Sequence, residues 1–297
     1  MPVHASAAPV ARQAWQSALA GARRWRLALA LYVPSLVLGL LSALPVFLAA
    51  DALGRLGPWA AEVATGGIVS VLLELSAQAA EGQPPPEARQ ALAGLGLGAT
   101  LLALGVFVQG ILYNVLAGGV LARLAARDGS SFWGACRRWA WPMIWFGVLA
   151  LLVVALLGGA GLVIVALMPL GGSASWLARP ALALAWLAIL NGWLELSRAD
   201  MVARGDRRAL RSLGRTLALA ARPGLFLGLL GLWLLLGLIG VVYTLVGGDF
   251  VLSVPVGLPL LALAIQQLVA FGGGWLKLLH LAVALGIAQA VKQGDTA

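Results

Sequence analysis

The chain has 297 residues, of which 61% are hydrophobic and only 10% are charged, and its formal net charge is +9. A soluble domain carries about a quarter charged residues, so this composition excludes an ordinary soluble protein. The single cysteine, Cys136, excludes an intrachain disulfide. Apolar runs long enough to cross a hydrocarbon core of about 30 Å recur along the chain. They lack the alternation of β-barrel strands, so the sequence predicts an all-α membrane protein.

Six apolar stretches are predicted to span the membrane as three helical hairpins within one domain. A cleavable signal peptide is the alternative interpretation of the first stretch. Its basic region and its apolar run are, however, both longer than a signal peptide normally has. The predicted spans cover about 27–50, 95–120, 143–168, 178–197, 224–246 and 259–288.

Residues 51–90 are the longest segment outside the predicted spans, and acidic residues outnumber basic residues in it. Its apolar run 68–75 is too short to cross a bilayer and predicts a helix that lies in the membrane interface. The turn Pro84-Pro85-Pro86 closes the segment. We expect 51–90 to be an extracytoplasmic loop.

Lysine and arginine are distributed very unequally between alternate loops. Because positively charged loops remain on the cytoplasmic side, this distribution predicts a cell inner membrane protein with both termini in the cytoplasm. The topology also accounts for the net positive charge, so we expect no nucleic acid partner. Sixteen Lys and Arg residues lie in 1–26, 121–142, 195–223 and 288–297, and three lie in 51–90, 171–179 and 246–256.

Each basic segment is predicted to enter the next span through an amphipathic elbow helix, at about 11–25, 131–141 and 206–222. In the third elbow, leucines share one arc of the helix and arginines share the adjoining arc. Such a helix lies in the interface with arginine at the lipid phosphates, so we expect anionic inner-leaflet lipids as partners. The predicted membrane-surface arginines are Arg137, Arg138, Arg207, Arg208, Arg211 and Arg215.

The span and elbow from Leu190 to Pro223 form the clearest copy of a repeated unit. An offset of 77 residues places Asn114 on Asn191 and Arg138 on Arg215. The turn Leu194-Glu195-Leu196-Ser197-Arg198-Ala199, the basic elbow and Arg222-Pro223 together resemble a group of uncharacterised bacterial six-span membrane proteins. They are also similar to the membrane-anchor domain beside some glycerophosphodiester phosphodiesterases. This resemblance implies the six-span fold, and the sequence contains no soluble phosphodiesterase domain.

Polar side chains inside the predicted spans are the candidate functional residues. A charge in hydrocarbon costs about 2.5–3.5 kcal/mol, so we hypothesise that Glu195 and Lys277 face the bundle and pair with each other. In the structural alternative, Glu195 pairs with Arg198 and Asp200 with Arg204 along one helix, while Lys277 extends to the lipid headgroups. The candidate intramembrane cluster is Asn114, Asn191, Glu195, Gln266 and Lys277.

The sequence contains no HExxH, GxSxG or P-loop motif, so we expect no enzyme activity, no cofactor and no metal site. The favoured function is a membrane scaffold or accessory subunit that holds lipid, a protein partner or a second copy of the chain. The alternative is a transporter or lipid-handling protein with a polar cavity near the inner leaflet. A cavity lined by Asn191, Glu195, Gln266 and Lys277 would favour this alternative, whereas a sealed core of leucine and glycine would favour the scaffold.

Overall fold

Helices make up nearly all of the described structure. The computed structural model describes residues 7–34, 36–37, 86–125, 131–168, 175–219, 223–253 and 259–294, and no strand occurs in these ranges. The chain is an all-α, multi-pass membrane protein, which confirms the predicted class. Five stretches within the described ranges are long and apolar enough to cross a membrane, namely Ala103–Ala125, Phe132–Leu167, Ala178–Arg204, Trp233–Phe250 and Leu263–Gln293.

The helices are numbered in chain order. They are α1 (Ala7–Ala22), α2 (25–34), α3 (Pro86–Ala125), α4 (Phe132–Val153), α5 (Gly159–Leu167), α6 (Ser175–Arg204), α7 (Ala209–Leu219), α8 (Pro223–Leu252) and α9 (Pro259–Gly294). A π-helical turn, Val154–Gly158, joins α4 to α5. Gly205 ends α6 with a φ of 69°, a left-handed conformation that glycine adopts without the steric cost of a Cβ atom.

The first predicted span, 27–50, is described only at 27–34 and 36–37, and both of these stretches are helical. The count of six spans therefore stays a prediction. Four of the other five predicted spans lie within single observed helices, and 143–168 follows α4, the π-helical turn and α5 as far as Leu167.

Part of the predicted loop 51–90 is helical instead. Residues 86–90 are the first turns of α3, and 51–85 lie outside the described residues. Proline at the first helical position has a φ angle that already suits a helix. The helix therefore begins at Pro86, and the rest of the turn predicted at 84–86 lies outside the described residues.

Two of the three predicted elbows are separate short helices. α1 ends before a turn at residues 23–24 that leads into α2, and α7 lies between α6 and α8. Some large apolar side chains of these elbows point outward, since Trp15 is 67% exposed and Leu210 is 70% exposed, whereas Val10 and Leu213 are buried. Small side chains instead face the protein, among them Ala14 in α1 and Ser212 in α7.

The second predicted elbow, 131–141, is not a separate helix. It forms the first turns of α4, which runs on through Pro142. Proline removes one hydrogen bond from a helix interior, but Pro142 is buried, and its packing accounts for the unbroken helix. The predicted amphipathic pattern is nevertheless present, since Cys136 is buried while Arg137 and Arg138 are exposed.

The chain divides into two compact units, and the cavity-lining residues described below lie in the first. This unit comprises Met1–Val33 and Ile111–Ala297, and the second comprises Pro34–Gly110. A continuous hydrophobic core runs through the described part of the first unit. Its largest fully buried side chains include Leu121, Met143, Phe146, Met201, Leu278, Leu281 and Ile287.

α1 packs along the second half of α9. A Cβ atom at Gly21 would lie 2.7 Å from the Cβ of Ala282, and one at Gly286 would lie 2.9 Å from the carbonyl oxygen of Gln13. Small residues let helix backbones approach this closely. The two glycines thus fix the distance between these helices.

Candidate functional site

A cavity of about 560 Å³ opens among α6, α8 and α9, with Tyr113 of α3 in its wall. Ligand pockets in proteins are commonly about 300–1,000 Å³, so this one can hold a small molecule or a lipid headgroup. The polar residues that line it are Tyr113, Asn191, Glu195, Tyr243, Thr244, Lys277 and His280, and the others are Leu236, Gly237, Gly240, Val241, Leu245, Gly273 and Leu276.

The cavity lies along the middle of the helices and not at their ends. Glu195 is well inside the candidate span Ala178–Arg204, and Lys277 is well inside Leu263–Gln293. Ionisable groups at such positions are costly in a bilayer, and for this reason they commonly mark substrate or ion pathways. The polar lining therefore needs an explanation beyond the packing of helices.

α6 contributes Asn191 and Glu195, which are four residues apart and so share one helix face. Asn191 Nδ2 donates a hydrogen bond of 3.3 Å to Glu195 Oε1. Glu195 is only 3% exposed, and its second oxygen, Oε2, has no hydrogen-bond partner. An unsatisfied carboxylate oxygen in a buried position is a strong acceptor that a bound donor could satisfy.

Lys277 reaches the same cavity from α9 but forms no ion pair with Glu195. Its Nζ lies 5.1 Å from the centroid of the Tyr113 ring, which is a cation–π distance. The structure thus brings the two predicted partners into one cavity and leaves both charges available to a third group.

Arg198 lies behind the cavity wall and is 4% exposed. Its guanidinium carbon is 5.3 Å from the Tyr113 ring centroid and 5.2 Å from that of Phe146. Its Nε and Nη1 atoms have no hydrogen-bond partner. The predicted ion pair of Glu195 with Arg198 does not form, and the guanidinium instead lies within cation–π distance of both rings.

His280 lies one turn beyond Lys277 and lines the cavity, a role that the sequence did not indicate. Its ring meets that of Trp233 edge-on at 6.0 Å, and its Nε2 has no hydrogen-bond partner. The spacing of His280 from Lys277 could have suggested a shared face. Tyr113 and Thr244 were missed because they are ordinary residues of apolar spans, and only the packing of the helices brings them to the cavity.

Two glycines leave the cavity open. A Cβ atom built at Gly240 of α8 or at Gly273 of α9 meets nothing within 4 Å. Both residues line the cavity, so any larger side chain at either position would extend into it.

Two members of the predicted cluster lie elsewhere. Asn114 is buried against α4, where a Cβ atom at Gly147 would be 3.1 Å from its Nδ2 atom. Gln266 is exposed and does not line the cavity, whereas its neighbour Gln267 accepts a hydrogen bond from the Tyr32 hydroxyl. The structure therefore brings together Asn191, Glu195 and Lys277 and leaves these two apart.

The arginines of the elbows differ in their surroundings. Arg215 donates hydrogen bonds to both Asp200 and Asp206, and Arg204 pairs with Asp200 at 2.7 Å, as predicted from their spacing. Arg215 thus holds α7 against α6 and is not only a membrane-surface residue. The other predicted surface arginines are exposed, namely Arg137, Arg138, Arg207, Arg208 and Arg211, and their contact with lipid stays a prediction.

Asp206 lies in the connection between α6 and α7, outside the candidate spans. Its carboxylate accepts hydrogen bonds from Arg215 Nη1 at 2.8 Å and from the Arg208 backbone N–H at 3.1 Å. These two contacts hold the pKa of Asp206 below its ordinary value, and the hydrogen bond from Arg215 has the larger effect.

A network of buried hydroxyl groups also joins α6 to α7. Ser212 of α7 donates to the Ser197 carbonyl oxygen at 2.6 Å and lies 2.9 Å from Asp200 Oδ2. The hydroxyl groups of Ser197 and Thr216 are 2.6 Å apart, and Trp193 donates to Thr216 at 3.1 Å. Such satisfied polar networks specify one packing arrangement, so the α6–α7 junction is rigid.

The described ranges contain no cluster of three or more His, Cys, Asp or Glu side chains that could hold a metal ion. Chemically, the cavity offers one carboxylate, one ammonium group and several neutral hydrogen-bonding groups within an otherwise apolar wall. The resemblance to phosphodiesterase membrane anchors stays a prediction. No family model matches the chain, and comparisons with curated proteins and with solved structures find no similar protein.

Proposed function

We propose that this membrane protein is a lipid-handling protein that binds the headgroup of a membrane lipid in the cavity among α6, α8 and α9. The observation that carries the proposal is the cavity itself, about 560 Å³ in volume and lined at mid-span by Glu195 and Lys277.

The surroundings of the cavity support a lipid over a water-soluble solute. Leu245 lines the cavity and is 68% exposed, so the apolar outer surface of α8 is continuous with the cavity wall. Leu238 and Val242, which are 60% and 49% exposed, extend this surface. A molecule with a polar head and apolar chains can place its head in the cavity and its chains along α8.

The scaffold function that the sequence favours requires polar pairs sealed between helices. The Arg215–Asp200 pair joins α6 to α7 but is only partly sealed, because Arg215 is 29% exposed. Glu195 and Lys277 do not meet this requirement, because they share a cavity without pairing. The geometry of the cavity therefore supports lipid handling more strongly than scaffolding alone.

Filling the cavity tests the proposal. The protein would be purified in mild detergent, and its bound lipid identified and counted by native mass spectrometry. Wild type should retain about one lipid per chain, and Gly240→Leu and Gly273→Leu should lose it, because their side chains extend into the open volume. Leucine also favours a helix over glycine, so both variants should fold.

Gly248→Leu is the matched control. Gly248 also lies on α8, and a Cβ atom there would meet nothing within 4 Å, but it does not line the cavity. This variant should keep the lipid. The proposal is wrong if the cavity-filled variants retain lipid as wild type does, or if wild type carries a stoichiometric protein partner and no lipid.

A further inference from the structure

Glu195 and Lys277 line one cavity and yet form no ion pair with each other. Glu195 is 3% exposed with its Oε2 atom unpartnered, and the described contact of the Lys277 ammonium is with the Tyr113 ring. Two opposite charges that remain apart in an apolar wall form a complementary site for a molecule that itself carries both charges.

We propose that the cavity selects a zwitterionic phospholipid with a primary amine, that is, a phosphoethanolamine headgroup. This inference rests on the proposed lipid-handling function. The phosphate pairs with the Lys277 ammonium, and the headgroup ammonium donates to Glu195 Oε2. Both contacts are charge-assisted, and the headgroup satisfies the two cavity groups that the protein leaves without an ionic partner.

The neighbouring groups favour a donor beside Glu195. Asn191 already occupies Oε1, so Oε2 is the oxygen of this cavity-lining carboxylate that is left without a hydrogen bond. A quaternary choline ammonium has no N–H and cannot donate a hydrogen bond there. A glycerol headgroup supplies hydroxyl donors but no positive charge, and neutral hydrogen bonds are weaker than charge-assisted ones.

Lipid competition separates these headgroups. The full-length protein would be delipidated in detergent and titrated by native mass spectrometry with phosphatidylethanolamine, phosphatidylcholine and phosphatidylglycerol that have identical acyl chains. We expect phosphatidylethanolamine to bind about tenfold more tightly than either of the others. Soluble phosphoethanolamine, which has the same head without acyl chains, should displace it only at concentrations at least about a hundredfold higher.

Substitutions assign each contact. Glu195→Gln keeps the shape of the side chain and removes its charge, so the preference for ethanolamine over choline should fall at least about threefold while phospholipid binding persists. Lys277→Met should weaken all three phospholipids about tenfold, because each carries the phosphate. Gln266→Leu is the matched control on α9, since Gln266 is exposed and lies outside the cavity. It should change neither the headgroup preference nor the affinity for phospholipid.

The outcomes distinguish the two proposals. If phosphatidylglycerol or phosphatidylcholine binds as tightly as phosphatidylethanolamine, the headgroup assignment is overturned while the lipid-handling function stands. The headgroup assignment is also overturned if Glu195→Gln unfolds at the same temperature as wild type and keeps the full preference for the ethanolamine over the choline headgroup. If no phospholipid binds and the Gly273→Leu variant behaves as wild type, both proposals fail.

Discussion

Arg215 donates two hydrogen bonds to one carboxylate oxygen of Asp200, from Nε at 3.0 Å and from Nη2 at 2.8 Å. Its remaining terminal nitrogen donates to Asp206. One guanidinium on α7 thus contacts both the last turns of α6 and the connection that follows them. The planar fork of arginine makes this arrangement possible, and lysine could not reproduce it.

Removal of this guanidinium should destabilise the junction. Arg215→Gln leaves the nearly buried carboxylate of Asp200 with only Arg204 and Ser212 as partners. We expect the free energy of unfolding to fall by about 2 kcal/mol, less than for a fully buried pair because Arg215 is 29% exposed. Thermal unfolding in detergent measures the loss. Arg211→Gln is the control, since Arg211 is 3.9 Å from Asp206 and 55% exposed, and it should change stability little. Equal effects of the two substitutions would contradict this role of Arg215.

The same junction should weaken in acid. Because contacts with Arg215 and Arg208 lower the pKa of Asp206 in the folded protein, the stability that Asp206 contributes is present above its unfolded pKa, about 3.9. This contribution is lost as the pH falls through the lower folded value. Thermal unfolding from pH 6 to pH 3 should show wild type more stable than Asp206→Asn near pH 6, with the difference shrinking below about pH 4. A difference that stays constant over this range would contradict the assignment.

Gly192 should tolerate no side chain. A Cβ atom there would lie 2.6 Å from Cγ of the Trp233 indole, which packs α8 against α6. Gly192→Ala should therefore cost about 1–3 kcal/mol through overpacking, measured by thermal unfolding. Gly231→Ala on α8 is the control, because its Cβ meets nothing within 4 Å, and alanine there should raise helix stability by up to about 1 kcal/mol.

The predicted orientation can be tested with the single cysteine removed. In a Cys136→Ala background, Arg207→Cys and Ser253→Cys place thiols at two exposed positions that flank α8. A membrane-impermeant thiol reagent applied to intact cells should label Ser253→Cys and spare Arg207→Cys until the membrane is opened. Labelling of Arg207→Cys in intact cells would reverse the predicted topology.

Much of the helical layout could be predicted because long apolar runs and i,i+4 spacing are local properties. The Asp200–Arg204 pair and the shared face of Asn191 and Glu195 follow from spacing alone. The meeting of Tyr113 with Lys277 does not, because it depends on how separate helices pack.

The buried face of α7 shows a second limit of the sequence. Its leucine arc suggested the apolar side, yet only Leu213 of this arc is buried, whereas Leu210 and Leu217 are 70% and 57% exposed. The polar residues Ser212 and Thr216 are buried beside Leu213. In a membrane, exposed leucine carries no penalty, so large apolar residues can face lipid while small polar ones bind the protein. Hydrophobicity therefore cannot tell the two faces apart in such a helix.

The packing of α1 against α9 has a consequence for biogenesis. The Gly21 and Gly286 contacts join the first and last described helices. During synthesis α1 emerges first, but its partner surface does not exist until α9 has been made. The face of α1 that carries Val10 and Ala14 therefore stays without its α9 partner until all the intervening spans have been inserted. Closure of the bundle is thus a late, long-range step, and a chain that stops before α9 leaves α1 undocked.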